Sequence, residues 1–136
     1  MPNENVASLA KYRLEQAHGC LKSAIRELNA QDYKSAANRS YYCIFHAMRA
    51  VLALDSYDSK KHSGVIAAFR QRHIKTGGIP VEFSDIIRDA FNVRGNSDYE
   101  DFFIISKDEV QMQIDNAKAF LKVVEEYIKK LIDPLR

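Results

Sequence analysis

The fold is decided by residues 32–54, DYKSAANRSYYCIFHAMRAVLAL, a stretch that contains no glycine and no proline. Its apolar residues recur at the three- and four-residue spacing of an α-helix, on two separate stripes. The stripe of large residues comprises Ala37, Tyr41, Ile44, Met48, Val51 and Leu52, and the stripe of small residues comprises Ala36, Ser40, Cys43, Ala47 and Ala50. The pattern predicts a central helix with neighbours on most sides, one of them packed closely against the small stripe.

A polar line runs between the two stripes and consists of Asn38, Tyr42, His46 and Arg49. Polar groups that lose water cost about 1–3 kcal/mol each unless they are paired. We therefore expect this line to face a partner, a ligand or a wet groove. An imidazole beside a guanidinium suits phosphate chemistry. The alternative is a buried polar network that sets helix register, or a contact with a second subunit.

Four further helices are predicted from the same periodicity, over about residues 5–29, 62–75, 84–102 and 107–132. The short break at 29–31 makes the first two helices antiparallel neighbours. No segment alternates with a two-residue period, and there is no internal repeat. The sequence thus predicts an all-α fold, a five-helix up-and-down bundle that forms a single domain over residues 1–136.

Helix ends are marked by capping residues. Asp32 is expected to cap the central helix, and Ser84 the fourth. Ser106 and Glu109 have the spacing of a capping box that opens the last helix. On the first helix, the pattern places Leu9 and Tyr12 on the apolar side.

The bulk composition suits one globular, soluble domain: 136 residues, 46% of them hydrophobic and 28% charged. The formal net charge of +2 is too small to imply nucleic-acid binding by itself. No apolar run approaches the roughly 20 residues of a membrane span, and the first residues lack the layout of a signal peptide. Cys20 and Cys43 lie inside helical patterns, as core residues in a reducing compartment do. These features predict a cytoplasmic protein without a membrane association.

A second polar segment, RGNSDY at residues 94–99, lies near the end of the fourth predicted helix. Arg94 and Asp98 are four residues apart, so they share one helix face. Their simplest interpretation is an intrahelical ion pair worth a few tenths of a kcal/mol. The functional interpretation is a phosphate-binding arginine within a polar cluster. Gly95 would mark either a frayed end or a place where another group approaches the backbone closely.

A third region concentrates positive charge in KKHSG at residues 60–64 and in Arg70, Arg72, His73 and Lys75. It would meet RNA or nucleotide phosphates, or it is simply a solvated face. His62 and His73 each stand alone in the sequence. There is no phosphate-binding glycine loop, no HExxH and no zinc spacing, so neither a metal nor a cofactor is expected.

Taken together, these segments resemble the HEPN family (higher eukaryotes and prokaryotes nucleotide-binding), in its small prokaryotic stand-alone branch. The matching stretches are AANRSYYCIFHAMRAVL (36–52), KKHSGVIAAFRQRHIKTG (60–77), RGNSDYEDF (94–102) and the amphipathic last helix. The resemblance covers nearly the whole chain. Its most specific pieces are Tyr41-Tyr42-x-x-Phe45-His46-Ala47-x-Arg49, His62-Ser63-Gly64 and Arg94-x-x-x-Asp98-Tyr99.

The resemblance implies a bundle of the HEPN or nucleotidyltransferase substrate-binding-subunit type that pairs as a homodimer, with the polar faces of its central and fourth helices near the dimer cleft. Many members are ribonucleases, toxins or RNA-processing domains that use an arginine, four to six spacer residues and a histidine. Others partner a small nucleotidyltransferase, often as toxin and antitoxin. In some of those pairs a tyrosine just after the family histidine is nucleotidylated, which makes Tyr99 a hypothetical target.

The chain departs from the ribonuclease pattern after Arg94. The family histidine would fall at positions 99–101, which are Tyr99, Glu100 and Asp101, and no histidine follows His73. The missing imidazole favours a domain that is not an enzyme. The resemblance therefore implies a nucleotide-binding, RNA-binding or nucleotidyltransferase-partner domain, without sequence-specific binding to DNA.

In that function Arg49 and Arg94 would meet phosphate. The remaining cleft residues would be Asn38, Tyr42, His46, Asp98 and Tyr99. One alternative is a metal-independent ribonuclease toxin with Arg94 and His46 as its catalytic residues, which requires that His46 share the cleft with Arg94. The other is a purely structural interaction module, in which the polar line is only a subunit interface.

Overall fold

The computed structural model describes residues 4–99 and 104–133, and the side chains of residues 96–99 lie outside that description. The described residues form five α-helices and no strand, which confirms the predicted all-α, five-helix up-and-down bundle. In this part of the chain no helix combines the length and apolar character needed to cross a bilayer. The helices are α1 (Glu4–Asn29), α2 (Tyr33–Leu54), α3 (His62–Phe69), α4 (Phe83–Tyr99) and α5 (Lys107–Ile132).

The central position of α2 follows from its two apolar stripes. Every residue of both stripes is at most 1% exposed, and the four residues of the polar line are half-buried. Only Lys34 and Arg39 of this helix are exposed. Asp32 caps the helix as predicted, because its carboxylate accepts a hydrogen bond from the Ser35 backbone N–H at 3.2 Å.

Helix α1 packs against α2 through small residues. Ala10, Ala17 and Ala24, spaced by seven, are completely buried. Ala17 shares a core cluster with the small stripe of α2, and Ala24 shares another with its first turns. The expectation for Leu9 and Tyr12 is wrong, because they are 40% and 57% exposed. The alanine row lies to one side of both residues on the helix, and Ala17 and Ala24 of this row face α2.

The third predicted helix changes its winding part-way along. It is α-helical to Phe69 and continues as a π-helical turn over Arg70–Ile74. Gly77 follows with a φ of +89°, in the left-handed region that favours glycine after a helix end. Ser84 is not the cap of α4: the Phe83 N–H bonds the Pro80 carbonyl at 3.1 Å, and this turn already begins the helix.

Helix α5 closes the core. Its capping box is confirmed, since the Glu109 N–H donates to Ser106 Oγ at 3.1 Å and the Ser106 N–H donates to Glu109 Oε1 at 3.4 Å. The apolar stripe that follows is buried against α2, α1 and α4. Burial of such a stripe supplies most of the stability of a helix in a bundle.

Candidate functional site

The polar line of α2 forms one side of the candidate site. The spacing of four and then three residues places Tyr42, His46 and Arg49 on the same side of the helix. The ring centroids of Tyr42 and His46 are 6.0 Å apart, and the Arg49 guanidinium carbon lies 5.8 Å from the centroid of the Phe45 ring. These residues are therefore a continuous half-buried surface.

His62, the first residue of α3, completes this surface. Its Nδ1 is hydrogen-bonded to the Tyr41 hydroxyl at 2.7 Å, and its ring stacks on Phe45 with centroids 4.1 Å apart. Tyr41 is fully buried, and burial raises the pKa of its hydroxyl far above the ordinary value. Because the hydroxyl stays protonated, it is a permanent hydrogen-bond partner that orients the imidazole.

The third position of the His62-Ser63-Gly64 motif requires glycine for a steric reason. A Cβ at Gly64 would collide with the Ser59 side chain in the segment between α2 and α3. Glycine thus lets residues 55–61 fold back closely against the start of α3. This approach places His62 over the face of α2.

Arg94 of α4 reaches the same surface from a third helix. Its guanidinium carbon lies 5.6 Å from the ring centroid of Tyr41 and 5.9 Å from that of Tyr42, within the range of cation–π attraction. We call the joint set of side chains the basic–aromatic cluster. It consists of Tyr41, Tyr42, Phe45, His46, Arg49, His62 and Arg94.

Both histidines of the basic–aromatic cluster are held neutral. Burial lowers the pKa of His46, and the positive charges of Arg49 and Arg13 lower it further. Burial lowers the pKa of His62 first, and the charges of Arg94 and Arg49 add to this effect. In the described part of the chain, His46 Nδ1 is buried and has no hydrogen-bond partner. At neutral pH each ring can accept a proton, and a nearby anion would favour its protonation.

Arg49 is already engaged in an ion pair. Its Nε donates to Asp58 Oδ1 at 3.3 Å and one terminal nitrogen donates to Oδ2 at 3.0 Å. Asn38 lies one turn before Tyr42, and its buried Oδ1 has no hydrogen-bond partner among residues 4–99 and 104–133. The side chains of Asp98 and Tyr99, both predicted to line the cleft, lie outside the described residues.

The basic residues at positions 60–75 differ in exposure: Lys60, Lys61, Arg72 and Lys75 are exposed, whereas His73 is taken up by the interior. His73 is buried, with Nδ1 bonded to the Tyr127 hydroxyl at 2.8 Å and Nε2 to Asp55 Oδ2 at 2.7 Å. Arg72 lies over the Tyr57 ring at 4.5 Å. We call Asp55, His73 and Tyr127 the His73 chain, which ties the end of α2 to α5 through the π-helical turn.

A separate cavity lies on another side of the bundle. A groove of about 520 Å³ between α1 and α5 is bordered by Leu14, Ile128 and Lys129, and no residue of the basic–aromatic cluster lines it. The residues described here contain no group of three or more histidine, cysteine, aspartate or glutamate side chains that could hold a metal ion.

The three sequence stretches that meet in this cluster belong to one known domain. The family model described as the HEPN domain matches residues 10–127 of the chain. The chain belongs to the HEPN family. The match includes α2, α3 and α4 whole, and therefore every residue of the basic–aromatic cluster.

Individual HEPN relatives are similar over most of the chain. A Methanocaldococcus jannaschii protein named "Putative toxin MJ0142" is 31% identical over 115 residues, covering 85% of this chain and 78% of that protein. A Thermotoga maritima UPF0332 protein is 32% identical over 123 residues, covering 90% and 93%. Another M. jannaschii protein, "Putative toxin MJ0605", is 27% identical over 130 residues, covering 96% of both.

Sequence reasoning placed His62 of this HEPN chain in the basic region and in the His62-Ser63-Gly64 motif, but not among the cleft residues beside the polar line. His62 stands outside the helical stripe of α2, and nothing near it in sequence pairs with it. The available signal was its position at a predicted helix start, followed by Gly64. Asp58 was missed for the same reason, because it lies in a turn-like polar segment without periodicity.

Proposed function

We propose that this HEPN chain binds the phosphate groups of a nucleotide or RNA at the basic–aromatic cluster. The observation that carries the proposal is the meeting of three helices: His46 on α2, His62 on α3 and Arg94 on α4. Arginine offers phosphate several fixed donors, and it also stacks on aromatic rings. Tyr42 lies between these groups and can pack against a base or a sugar.

The electrostatics support an anionic ligand. Burial lowers the pKa of both histidines, and the positive charges of nearby arginines lower it further, which is the effect of a site that attracts anions. A phosphate group placed there would be attracted to Arg94 and would favour protonation of His62. Binding should therefore take up protons and become tighter as pH falls from about 7.5 to about 6.

The direct test is titration with AMP, ATP and a short RNA, followed by calorimetry or fluorescence anisotropy. Arg94→Ala should weaken binding about tenfold or more, as the loss of a charge-assisted hydrogen bond predicts. Arg88→Ala is the matched control, because Arg88 lies on the same helix but is exposed and pairs with Asp85 and Asp89. Equal affinities of wild type and Arg94→Ala would remove Arg94 from the site.

The proposal also covers the oligomeric state and the partner of this chain. The names of two relatives describe toxins, and we propose that this chain is a homodimer that acts with a cognate partner, a small nucleotidyltransferase, as a toxin–antitoxin pair. Light scattering should give twice the mass of one chain. Mass spectrometry after co-expression with such an enzyme reports whether Tyr99 gains a nucleotidyl group. A purely monomeric chain that co-purifies with no nucleotidyltransferase would contradict both the homodimer and the proposed partner.

A second candidate is a metal-independent ribonuclease. It is favoured by the neutral His46 and His62, which supply proton acceptors near Arg94 although the usual position has none. A neutral imidazole would take the proton of a ribose 2′-hydroxyl, and the 2′-oxygen would attack phosphorus to form a 2′,3′-cyclic phosphate. The bond to the 5′-oxygen would break as that oxygen receives the proton from the imidazolium. RNA cleavage lost in His62→Ala and kept in His18→Ala, an exposed histidine of α1, would support it. Uncleaved RNA would exclude it.

A further inference from the structure

We propose that Arg13 and Arg49 form a second phosphate subsite, which the carboxylate of Asp58 fills in the free protein. The ligand class that follows is a nucleotide with two or more phosphate groups, such as an oligoribonucleotide. This inference rests on the proposed function, because it places the second subsite beside the basic–aromatic cluster.

The geometry is that of two guanidiniums sharing one carboxylate. Arg13 on α1 donates to Asp58 Oδ2 at 3.3 Å and to the Arg49 carbonyl at 3.1 Å. Arg49 grips both oxygens of the same carboxylate, at 3.3 and 3.0 Å. Fork-shaped guanidiniums bind carboxylate and phosphate oxygens with the same geometry. A phosphate group therefore fits where the carboxylate now lies.

The single negative charge of Asp58 neutralises the two arginines only in part. Within the described ranges, Asp58 is the one acidic side chain in ion-pair contact with either guanidinium. The side chain of Arg13 is only 9% exposed, and burial together with the charge of Arg49 lowers its pKa. Two buried or half-buried cations and one carboxylate leave a net positive charge, which a phosphate group would offset more completely when it carries two negative charges.

The position of Asp58 allows an incoming anion to displace its carboxylate from the two guanidiniums. Its side chain is 49% exposed, and it lies between α2 and α3, outside any helix. Exposed ion pairs contribute little to stability, so opening this one is easily offset by a new anion. Arg13, by contrast, is held in the tight α1–α2 interface. The arginines are thus held on helices, whereas the carboxylate lies on the connector, where Asp58 Oδ1 also accepts a hydrogen bond from the Ser59 N–H at 2.8 Å.

The spacing of the two cationic positions selects ligands with more than one phosphate. Arg94 lies over Tyr42, and Arg49 follows seven residues later, about 10 Å along the axis of α2. His62 lies near both positions, because its ring contacts Tyr42, over which Arg94 lies, and stacks on Phe45, beside which Arg49 lies. A nucleotide with a single phosphate group can occupy one position, whereas a nucleotide with several phosphate groups can occupy both.

The test is the affinity of Asp58→Asn for AMP and for a 5′-phosphorylated three-nucleotide RNA. The substitution keeps the shape of the side chain but removes the competing charge, so RNA should bind about three- to tenfold more tightly and AMP about as before. ATP, a second source of linked phosphates, should gain as the RNA does. Asp89→Asn is the matched control, because it makes the same change of net charge at an exposed ion pair on α4.

Two further variants separate charge from loop structure. Asp58→Glu keeps the competing charge and should keep the wild-type affinity. Adding Arg13→Gln to Asp58→Asn should abolish the gain, provided that circular dichroism shows a folded helical protein; adding Arg49→Gln should do the same without touching the α1–α2 interface.

The outcomes are distinguishable. An Asp58→Asn affinity equal to that of Asp89→Asn, or an equal gain for AMP, overturns the second subsite while Arg94→Ala still reports on the first. If neither AMP nor RNA binds the wild type or Asp58→Asn, the proposed function itself fails, and the subsite fails with it.

Discussion

Replacing Tyr127 with phenylalanine tests the His73 chain, and the structure gives the expected size of the effect. The substitution keeps the ring but removes the hydroxyl that is bonded to His73 Nδ1 at 2.8 Å. His73 is only 5% exposed, so its nitrogen loses a partner where water has little access. A buried polar group left unpaired costs about 1–3 kcal/mol.

The expected shift in melting temperature is this change in free energy divided by the unfolding entropy, which scales with chain length. At about 2.1 cal/mol/K per residue, 136 residues have an unfolding entropy near 290 cal/mol/K, so each kcal/mol shifts the midpoint by about 3.5 °C. Tyr127→Phe should therefore unfold about 4–10 °C below wild type, as followed by circular dichroism at 222 nm.

Tyr12→Phe provides the matched control. Tyr12 is 57% exposed, and loss of its hydroxyl should change the free energy of unfolding by no more than about 0.5 kcal/mol. If Tyr127→Phe unfolds within about 2 °C of the wild type and of this control, the His73 chain contributes nothing, and the reasoning from burial is refuted.

Two other predictions concern the helix ends and the histidines. Ser106→Ala removes the hydroxyl that accepts the Glu109 N–H in the capping box of α5 and should cost about 1 kcal/mol in urea denaturation, whereas the exposed Ser8→Ala should be near neutral. The pKa values of His46 and His62 are lowered in the folded chain, so the unfolded chain binds more protons below about pH 6.5, and the free energy of unfolding should fall as pH drops from 7.5 to 5.5. His46→Gln should make that pH dependence shallower, and an unchanged slope would contradict the assignment.

The fold could be predicted from the sequence because the helices of this chain carry uninterrupted periodic stripes. The clearest case is α2, where the position of each residue on the helix wheel predicts its burial. The errors occurred where periodicity is ambiguous. Leu9 and Tyr12 looked like core residues because large apolar side chains usually are, but the close α1–α2 contact selects the smaller alanines.

The candidate site could be predicted only in part. The residues of α2 were found because they form one line on one helix, and the structure brings Arg94 of α4 next to two of their aromatic neighbours. His62 and Asp58 could not be found in this way. Their positions depend on how residues 55–61 fold back, which is a matter of tertiary contacts such as the close approach at Gly64. A lone polar residue in a turn gives no periodic signal.

The alanine row of α1 has a consequence for how this protein can move. Where α1 meets α2 through small buried residues such as Ala17 and Ala24, the close packing leaves little room for one helix to slide along the other. Helices α1 and α2 are therefore expected to move as one rigid unit, which keeps the distance between Arg13 and the polar line constant. We expect any conformational change on ligand binding to occur in the connector at residues 55–61 and in the helices that follow it.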